Sequence, residues 1–364
     1  MIRKIILTLA ILLNLLLISA KPVLAQDSLA TKQEQFEAIV TKVIKVEEKE
    51  IFGNKQKIQH LKLEIATGKN KGQSIVVENG GLQLSNIQYY SENDQVIAAK
   101  IINPDGSANY FVLDYVRRDA LYTLLLLFIL VTALIARKKG LASLVGLVYS
   151  FAIIFGVILP QILQGNNPII VALLGGLLIA PINFYISHGI NRKTHMALLG
   201  TLIALFITGI LAYIFIEGAH LTGFASEDAS FLQAVSEGHI NIKGLLLAGI
   251  IISLLGILDD ITISQAAIVF KLRETSPHLS SKDIYLKAMD IGKDHIGSLI
   301  NTLILVYAGA SLPFLLLLIS NNQSFQTAIN YEVIAEEIVR TLTASIGLIL
   351  AVPITTFLAS LHKK

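Results

Sequence analysis

The sequence predicts an α-helical polytopic membrane protein, in which a bundle of seven transmembrane helices follows a small exported all-β domain. The 364 residues are 54% hydrophobic and 15% charged, with a mean hydropathy of +0.66, which is too apolar for an ordinary soluble domain. Seven apolar runs are long enough to cross a ~30 Å hydrocarbon layer as helices. They lie at about 119–136, 141–163, 168–187, 195–216, 243–270, 295–319 and 338–361. These seven runs make residues 119–364 the predicted transmembrane domain.

Residues 1–25 have the form of a secretory signal. Basic Arg3 and Lys4 precede an apolar run, and a short Val-Leu-Ala sequence ends at Ala25, before Gln26. We expect cleavage after Ala25. The alternative is a retained signal anchor, which adds an eighth membrane helix. In both cases the segment that follows is exported.

Five short runs of alternating apolar and polar residues within 26–118 predict a small antiparallel sheet or barrel. They read FEAIVTKVIKVEE, IQHLKLEIATG, QSIVVENGG, QVIAAKII and ANYFVLDYV, and turns rich in Gly, Asn and Asp separate them. Lys and Glu alternate with the apolar positions, as on a solvated outer face. We interpret this domain as a folded cap or docking module, with a ligand-binding barrel as the alternative. The lone His60 is expected to be a surface residue.

Loop charges orient the predicted helices. Basic residues cluster in alternate connections, at 137–139, 192–193, 271–293 and the terminal 363–364, whereas 160–167 is uncharged and 217–242 and 320–337 are acidic. Positive charge marks the cytoplasmic side of membrane proteins. The pattern therefore predicts a multi-pass protein of the cell (cytoplasmic) membrane, with its β domain outside and its C-terminus in the cytoplasm. The net charge of +3 is too small to indicate nucleic acid as a partner.

Asp259 and Asp260 are the only charged residues between Lys243 and Lys271. An ionised Asp at the centre of a bilayer costs on the order of 3 kcal/mol, so such a pair needs a partner, a proton or a cation. Burial and mutual repulsion both favour at least one protonated carboxyl group. A carboxyl group that exchanges a proton at membrane depth is suited to a proton relay.

Hydroxyl and amide side chains surround this pair on the predicted helix. Thr262 shares a face with Asp259, with Gln265 one turn beyond, and Ser264 shares a face with Asp260. Ser253 and Gly256 continue the Asp260 face, and Gly200 and Gly249 are further glycines suited to close helix approach. We expect both faces of the acid-bearing helix to pack against other helices rather than lipid.

The next apolar run is the expected antiparallel neighbour, because the connection at 271–294 is short. Within that connection, Ser280 before Asp283 indicates a helix start, and the apolar residues that follow indicate a short amphipathic helix on the membrane surface. The neighbouring run supplies further candidates for a relay or for binding an ion or solute, namely Asp294, His295, Asn301, Thr302 and Tyr307. The alternative is that Asn301 and Thr302 only join helices by hydrogen bonds.

Other chemistry finds no support in the sequence. There is no cysteine, and no P-loop, zinc-protease, serine-hydrolase or dinucleotide motif. The acidic and histidine residues of 217–242 match no metal-ligand spacing. We therefore expect that the protein binds no cofactor or metal and is not an enzyme. Arg340 is expected to snorkel or to pair with Glu336 or Glu337.

Three stretches of sequence carry a family resemblance: LLLAGIIISLLGILDDITISQAAIVFKL, AMDIGKDHIGSLINTLILVYAGASLPFLLLLI and AEEIVRTLTASIGLILAVPITTFLA. In them the chain resembles the YibE/F-like family of bacterial multi-pass membrane proteins. The exported β segment fits the same layout, so the likeness covers most of the chain from about Phe36. The family is described as transport or permease proteins, and the resemblance implies that role without a substrate.

A shorter likeness concerns the acid pair itself. The sequence from Gly256 to Asp260 is similar to the paired-Asp helix that moves protons in resistance–nodulation–division exporters, although this chain lacks their duplicated halves and an intramembrane lysine. Two hypotheses follow. The first is a secondary transporter of an unknown small solute or ion, coupled to protons through Asp259 and Asp260. The second is a non-transporting scaffold, whose exported domain docks another envelope component and whose acids only join helices. A homo-oligomer is a separate expectation for the partners of the chain.

Overall fold

A computed structural model describes residues 33–51, 54–68, 70–80, 88–102, 107–320 and 323–361. The chain forms two compact units, which join in the sequence between Val131 and Thr132. The predicted signal at 1–25 lies outside the described residues, so its cleavage stays a prediction.

The N-terminal unit contains a five-stranded antiparallel sheet with the spatial order β3-β2-β1-β4-β5. Its strands are β1 Gln33–Ile51, β2 Asn54–Ile65, β3 Ser74–Asn79, β4 Gln95–Ile102 and β5 Ala108–Tyr115. All five coincide with the alternating runs of the sequence, so the predicted small β domain is confirmed. The long central strand pairs with both β2 and β4, and register shifts between Val40 and Lys45 bend it.

Alternation of side chains gives this sheet one apolar face. Val40, Leu61, Leu63 and Val96 are fully buried on that face, because successive residues of a strand point to opposite sides. The sheet curls into a half-barrel, since the edge strands β3 and β5 approach each other. His60 lies half-buried in an ion cluster on the charged face. There, hydrogen bonds from Lys45, Lys49 and His60 lower the pKa of Glu47 to about 2.

The polar side chain of Gln59 is buried in this core and fixes the loop that carries Tyr90. Its Nε2 donates to the Tyr90 carbonyl at 3.0 Å, and its Oε1 accepts from the Tyr90 backbone N–H at 2.9 Å. The Asn79 amide also donates to Oε1, at 3.4 Å. The Gln59 side chain therefore satisfies both the backbone N–H and the backbone carbonyl of Tyr90.

We expect Gln59→Leu to lower the free energy of unfolding of the β domain by about 1–3 kcal/mol, because both backbone groups of Tyr90 lose buried hydrogen bonds. Urea unfolding of the segment 33–115, followed by tyrosine fluorescence, measures the change. Lys62→Leu, at an exposed position of the same strand, is the matched control and should change stability by less than about 0.5 kcal/mol. Equal destabilisation by the two substitutions would contradict this role of Gln59.

The apolar part of the chain is helical. Its elements are α1 Arg118–Ile153, a π-helical turn Ile154–Ile158, α2 Leu159–Leu163, α3 Pro168–His188, α4 Arg192–Gly218, α5 Glu227–Val235, α6 Ile242–Thr275, α7 Ser281–Ala310, α8 Leu312–Ser320, α9 Phe325–Ala328 and α10 Glu332–Ser360. Asn167, Asn191, Asn241 and Ser280 begin α3, α4, α6 and α7, and each side chain accepts a backbone N–H of the first turn.

Five helical stretches are long and apolar enough to cross a membrane: Arg118–Leu163, α3, α4, α6 and α10. Helices α7 and α8 make a sixth if the pair, bent by 65°, counts as one span. Within the first stretch the backbone leaves helical geometry at Arg137, with φ 50° and ψ −132°. The predicted runs 119–136 and 141–163 lie on either side of this break. The described residues thus confirm a polytopic helical protein, and the total of seven spans stays a prediction.

The connection between α6 and α7 differs from its prediction in one respect. Ser280 and Asp283 form a capping box at the helix start, which confirms the predicted start. The prediction of a separate short amphipathic helix is wrong, because residues 281–294 form the first part of the uninterrupted helix α7. No proline or helix-breaking pair interrupts this part of the sequence, so the hydrogen-bonded ladder propagates.

Two glycines let α4 and α10 approach closely at the centre of the bundle. A Cβ atom on Gly200 would lie 2.1 Å from Thr355 Oγ1, and one on Gly347 would lie 2.2 Å from Thr208 Oγ1. Each glycine therefore receives a threonine side chain of the other helix. The prediction for Gly200 is confirmed. It is wrong for Gly249, beside which a Cβ would meet nothing within 4 Å in the described chain.

Candidate functional site

The acid pair lies at the middle of α6, the most buried of the long helices. At ~1.5 Å per residue, Asp259 is about 25 Å from either end of this 34-residue helix. The helix contacts α3, α4, α7 and α10. Both carboxyl groups are therefore far from the two ends of the helix.

The two carboxylates have different surroundings. Asp259 is partly buried, and its Oδ1 is inaccessible to solvent and has no hydrogen-bond partner among the described residues. Asp260 is exposed on the surface of the chain, within electrostatic range of His188 at the end of α3. Adjacent side chains on a helix point about 100° apart, which is why one acid enters the bundle and the other leaves it.

Asp259 belongs to the face of α6 that packs on α3 and α4. One turn before it, Leu255 packs near both helices: a Cβ atom on Gly176 of α3 would lie 3.9 Å from Leu255 and from Leu205 of α4. One turn after it, the fully buried Thr262 shares a hydrogen bond of 2.7 Å with Thr201 Oγ1 of α4. Along this face of α6, Asp259 therefore lies between Leu255 and the Thr262–Thr201 hydrogen bond.

Gln265 joins three helices one turn nearer the end of α6. Its Nε2 donates to the Ala288 carbonyl of α7 at 2.9 Å and to Thr356 Oγ1 of α10 at 2.8 Å. A Cβ atom on Gly292 of α7 would lie 3.0 Å from the same nitrogen. Gln265 is thus a structural tie, and its fully buried side chain holds α7 against α6 and α10.

We expect Gln265→Leu to destabilise the helical unit by about 1–3 kcal/mol, because the Ala288 carbonyl and the Thr356 hydroxyl lose their buried donor. The midpoint of thermal unfolding in detergent, read as the monodisperse fraction after heating, measures the loss. Ser264→Ala, at the preceding and half-buried position, is the control and should leave the midpoint unchanged. An unchanged midpoint in both variants would show that the tie carries no stability.

The polar side chains of α7 lie elsewhere than expected. Asp294, Asn301 and Thr302 are exposed, and His295 and Tyr307 are half-buried. Among the described residues no hydrogen bond or ion pair joins any of them to the acid pair. The physical reason is the packing of α7 mainly along α10, so that its polar face turns away from Asp259.

An exposed row of small and polar residues runs along α6 and ends at the acid pair. We call Gly249, Ser253, Gly256 and Asp260 the α6 stripe; all four are exposed, at spacings of three and four residues. The expectation that this face packs against helices is wrong for the described single chain, since a Cβ on Gly249 or Gly256 would meet no atom within 4 Å. Exposing a carboxylate to lipid is unfavourable, so this face requires water, an ion or another polypeptide beside it.

A crevice of about 280 Å³ opens at the far end of this stripe from Asp260. Ser253 contributes to its wall, together with Tyr307 of α7 and Glu336 and Arg340 of α10. The Arg340 guanidinium pairs with Glu337 at 3.3 Å, as predicted. Ser253 is about 10 Å from Asp260 along the helix axis. The acid pair itself lines neither this crevice nor a larger one of about 630 Å³ at the basic ends of α4 and α6.

Two residues of this region were missed by sequence reasoning as site residues. His188, near Asp260, was missed because it lies at the end of an apolar run and belongs to no recognisable motif. Glu336 was considered only as a partner for Arg340, although an acid at the entry of an apolar helix is itself a signal. No group of three or more His, Asp or Glu residues capable of holding a metal occurs in the described ranges.

The comparisons with known proteins concern the helical unit and its junction. The family model described as "YibE/F-like protein" matches residues 124–364, which is more than half of the chain. No curated protein and no solved structure matches the chain.

Proposed function

The chain belongs to the YibE/F-like family, and we propose that it is a secondary transporter of the cell membrane that couples solute movement to protons through Asp259. In this proposal seven helices cross the membrane, the β domain lies outside, and the C-terminus lies in the cytoplasm. The observation that carries the proposal is the Asp259 Oδ1 atom, enclosed in the helix core with no hydrogen-bond partner in the described chain.

The absence of a neighbouring positive charge in the described chain explains why the Asp259 carboxyl group is suited to binding and releasing a proton. No Lys or Arg pairs with Asp259 among the described residues, so no fixed positive charge neutralises it. A buried carboxylate without a partner is much less favourable than the neutral acid. Asp260, on the exposed side of the same turn, gives a neighbouring group from which a proton can be exchanged with water. The pair thus supplies one enclosed and one accessible carrier.

Proton flux in reconstituted liposomes tests this function. The purified chain is placed in vesicles that contain a pH-sensitive dye, valinomycin holds the membrane potential at zero, and mixtures of salts and amino acids are added outside. We expect the protein to dissipate a pH gradient faster than protein-free vesicles in at least one mixture. Equal rates in every mixture would contradict transport.

The scaffold hypothesis rests on a different observation. Val46, Val76 and Leu113 are more than 40% exposed on three strands of the β domain, so these apolar side chains are available for contact with another protein. If docking is the function, deleting 26–115 abolishes it in cells, whereas Asp→Asn at both Asp259 and Asp260 has no effect. The proton-coupled function requires the Asp259 variant to fail.

A further inference from the structure

We infer that the crevice between α5, α6, α7 and α10 binds a small zwitterion, such as an α-amino acid, with Glu336 and Arg340 as its two charged contacts. The inference names a substrate class for the proposed transporter and therefore rests on that function for its role. The binding site itself rests on the geometry of the crevice.

Glu336 provides the first polar contact. Its side chain is only 8% exposed, it lines the crevice, and its Oε1 atom has no hydrogen-bond partner among the described residues. The backbone N–H of Ala225 interacts with the same carboxylate. One oxygen therefore remains for a donor that the described chain does not supply, and leaving such an acceptor buried and unpaired is costly.

Arg340 provides the second contact, one helical turn further along α10. Its Nη1 faces Glu337 at 3.3 Å, whereas its Nε–H is buried and has no acceptor in the described chain. Because guanidinium donors are arranged as a fork, the edge opposite Glu337 is shaped for a carboxylate. The two residues that line the crevice thus contribute one unused acceptor and one unused donor.

The pair of unused groups selects the chemistry of the ligand. A simple cation would satisfy Glu336 but would add positive charge beside Arg340, and a simple anion would do the reverse. A molecule with an ammonium and a carboxylate satisfies both. Apolar side chains complete the wall, at Ile242, Leu245 and Leu246, and they suit an aliphatic or aromatic substituent.

The loop before α5, which forms part of the crevice wall at Gly223, is fixed by hydrogen bonds and close packing. Glu332 at the start of α10 accepts hydrogen bonds from the Thr222 hydroxyl at 2.7 Å and from the Gly223 backbone N–H at 3.0 Å. Gly223 has φ +85°, and a Cβ there would lie 2.8 Å from the Ile242 carbonyl. The loop before α5 is therefore fixed against both α6 and α10, which preorganises the site.

Ligand-induced stabilisation of the purified full chain tests the inference. The probes are the twenty standard amino acids, together with two analogues of each amino acid that stabilises the protein. One analogue lacks the carboxylate and the other lacks the ammonium; for leucine they are 3-methylbutylamine and 4-methylpentanoate. Thermal unfolding is read as the monodisperse fraction after heating. We expect at least one amino acid to raise the midpoint by several degrees and the corresponding single-charge analogues to raise it much less.

Variants assign the effect to the crevice. Glu336→Gln and Arg340→Lys should each weaken the apparent affinity at least tenfold, whereas Asp228→Asn, which removes an exposed carboxylate near the crevice, should leave it unchanged. No stabilisation by any amino acid, equal stabilisation by the amine alone, or full binding by Glu336→Gln would overturn the inference. Binding without proton flux would overturn the proposed function alone, and proton flux without amino-acid binding would overturn the inference alone.

Discussion

Asp259→Asn is expected to reduce proton flux in reconstituted liposomes by on the order of 100-fold or more. The amide has nearly the same shape as the carboxyl group but cannot take up and release a proton. Because Oδ1 of Asp259 has no partner among the described residues, the substitution should disturb little else. The flux assay described above, with equal amounts of inserted protein, measures the effect.

Asp260→Asn gives the matched comparison. This carboxylate is the exposed carrier of the proposed pair, and water beside this face of the helix can replace part of its exchange, so we expect a smaller loss of about tenfold. Gly256→Ala, on the α6 stripe, controls for changes to the exposed surface and should leave the flux unchanged. Equal flux in wild type and Asp259→Asn would remove the mechanism, and a larger loss at Asp260 would transfer the central role to that residue.

Gly200→Ala is expected to lower the stability of the helical unit by about 1–3 kcal/mol. The new Cβ would lie 2.1 Å from Thr355 Oγ1 and 3.3 Å from the Thr355 Cα. The first contact can be relieved by a side-chain rotation, but the second requires α4 and α10 to separate. Since these helices meet along the fully buried core, separation opens space that no atom fills.

A second substitution tests the origin of this effect. Thr355→Ala removes the atom nearest the new methyl group, and its own hydroxyl has no hydrogen-bond partner in the described chain. The double variant should therefore recover the part of the loss caused by the hydroxyl and keep the part caused by the Thr355 Cα. Gly249→Ala is the opposite control: its Cβ would meet nothing within 4 Å, and alanine in place of a helical glycine should stabilise by roughly 0.5–1 kcal/mol. Thermal midpoints in detergent decide each case. A neutral Gly200→Ala would show that the two helices are not packed this closely.

The β domain shows how far sequence patterns reach. Its five strands were predictable because alternation has a period of two residues and the turns carry Gly, Asn and Asp. What alternation does not contain is the long-range contact of Gln59 with Tyr90. Gln59 shares the face of Leu61 and Leu63, so alternation places it toward the core. Only the tertiary structure supplies its hydrogen-bond partner, Tyr90.

In the helical unit, sequence alone determined that Asp259 and Asp260 lie deep in a long apolar helix, since depth follows from counting residues. It also determined the helix start at Ser280, which depends on local capping. The rotation of α6, however, was open. An apolar helix has little contrast between its faces, so its pattern does not indicate which acid enters the bundle.

Tertiary structure decided the rest. It enclosed Asp259 beside α3 and α4, left Asp260 exposed, and turned the polar face of α7 away from both. It also brought Glu336 and Arg340 to the same crevice as Ser253 and Tyr307. The physical reason is that helix faces are selected by close packing, at points such as Gly200 against Thr355 and Gln265 against Thr356. These contacts join residues far apart in the chain, and no local pattern encodes them.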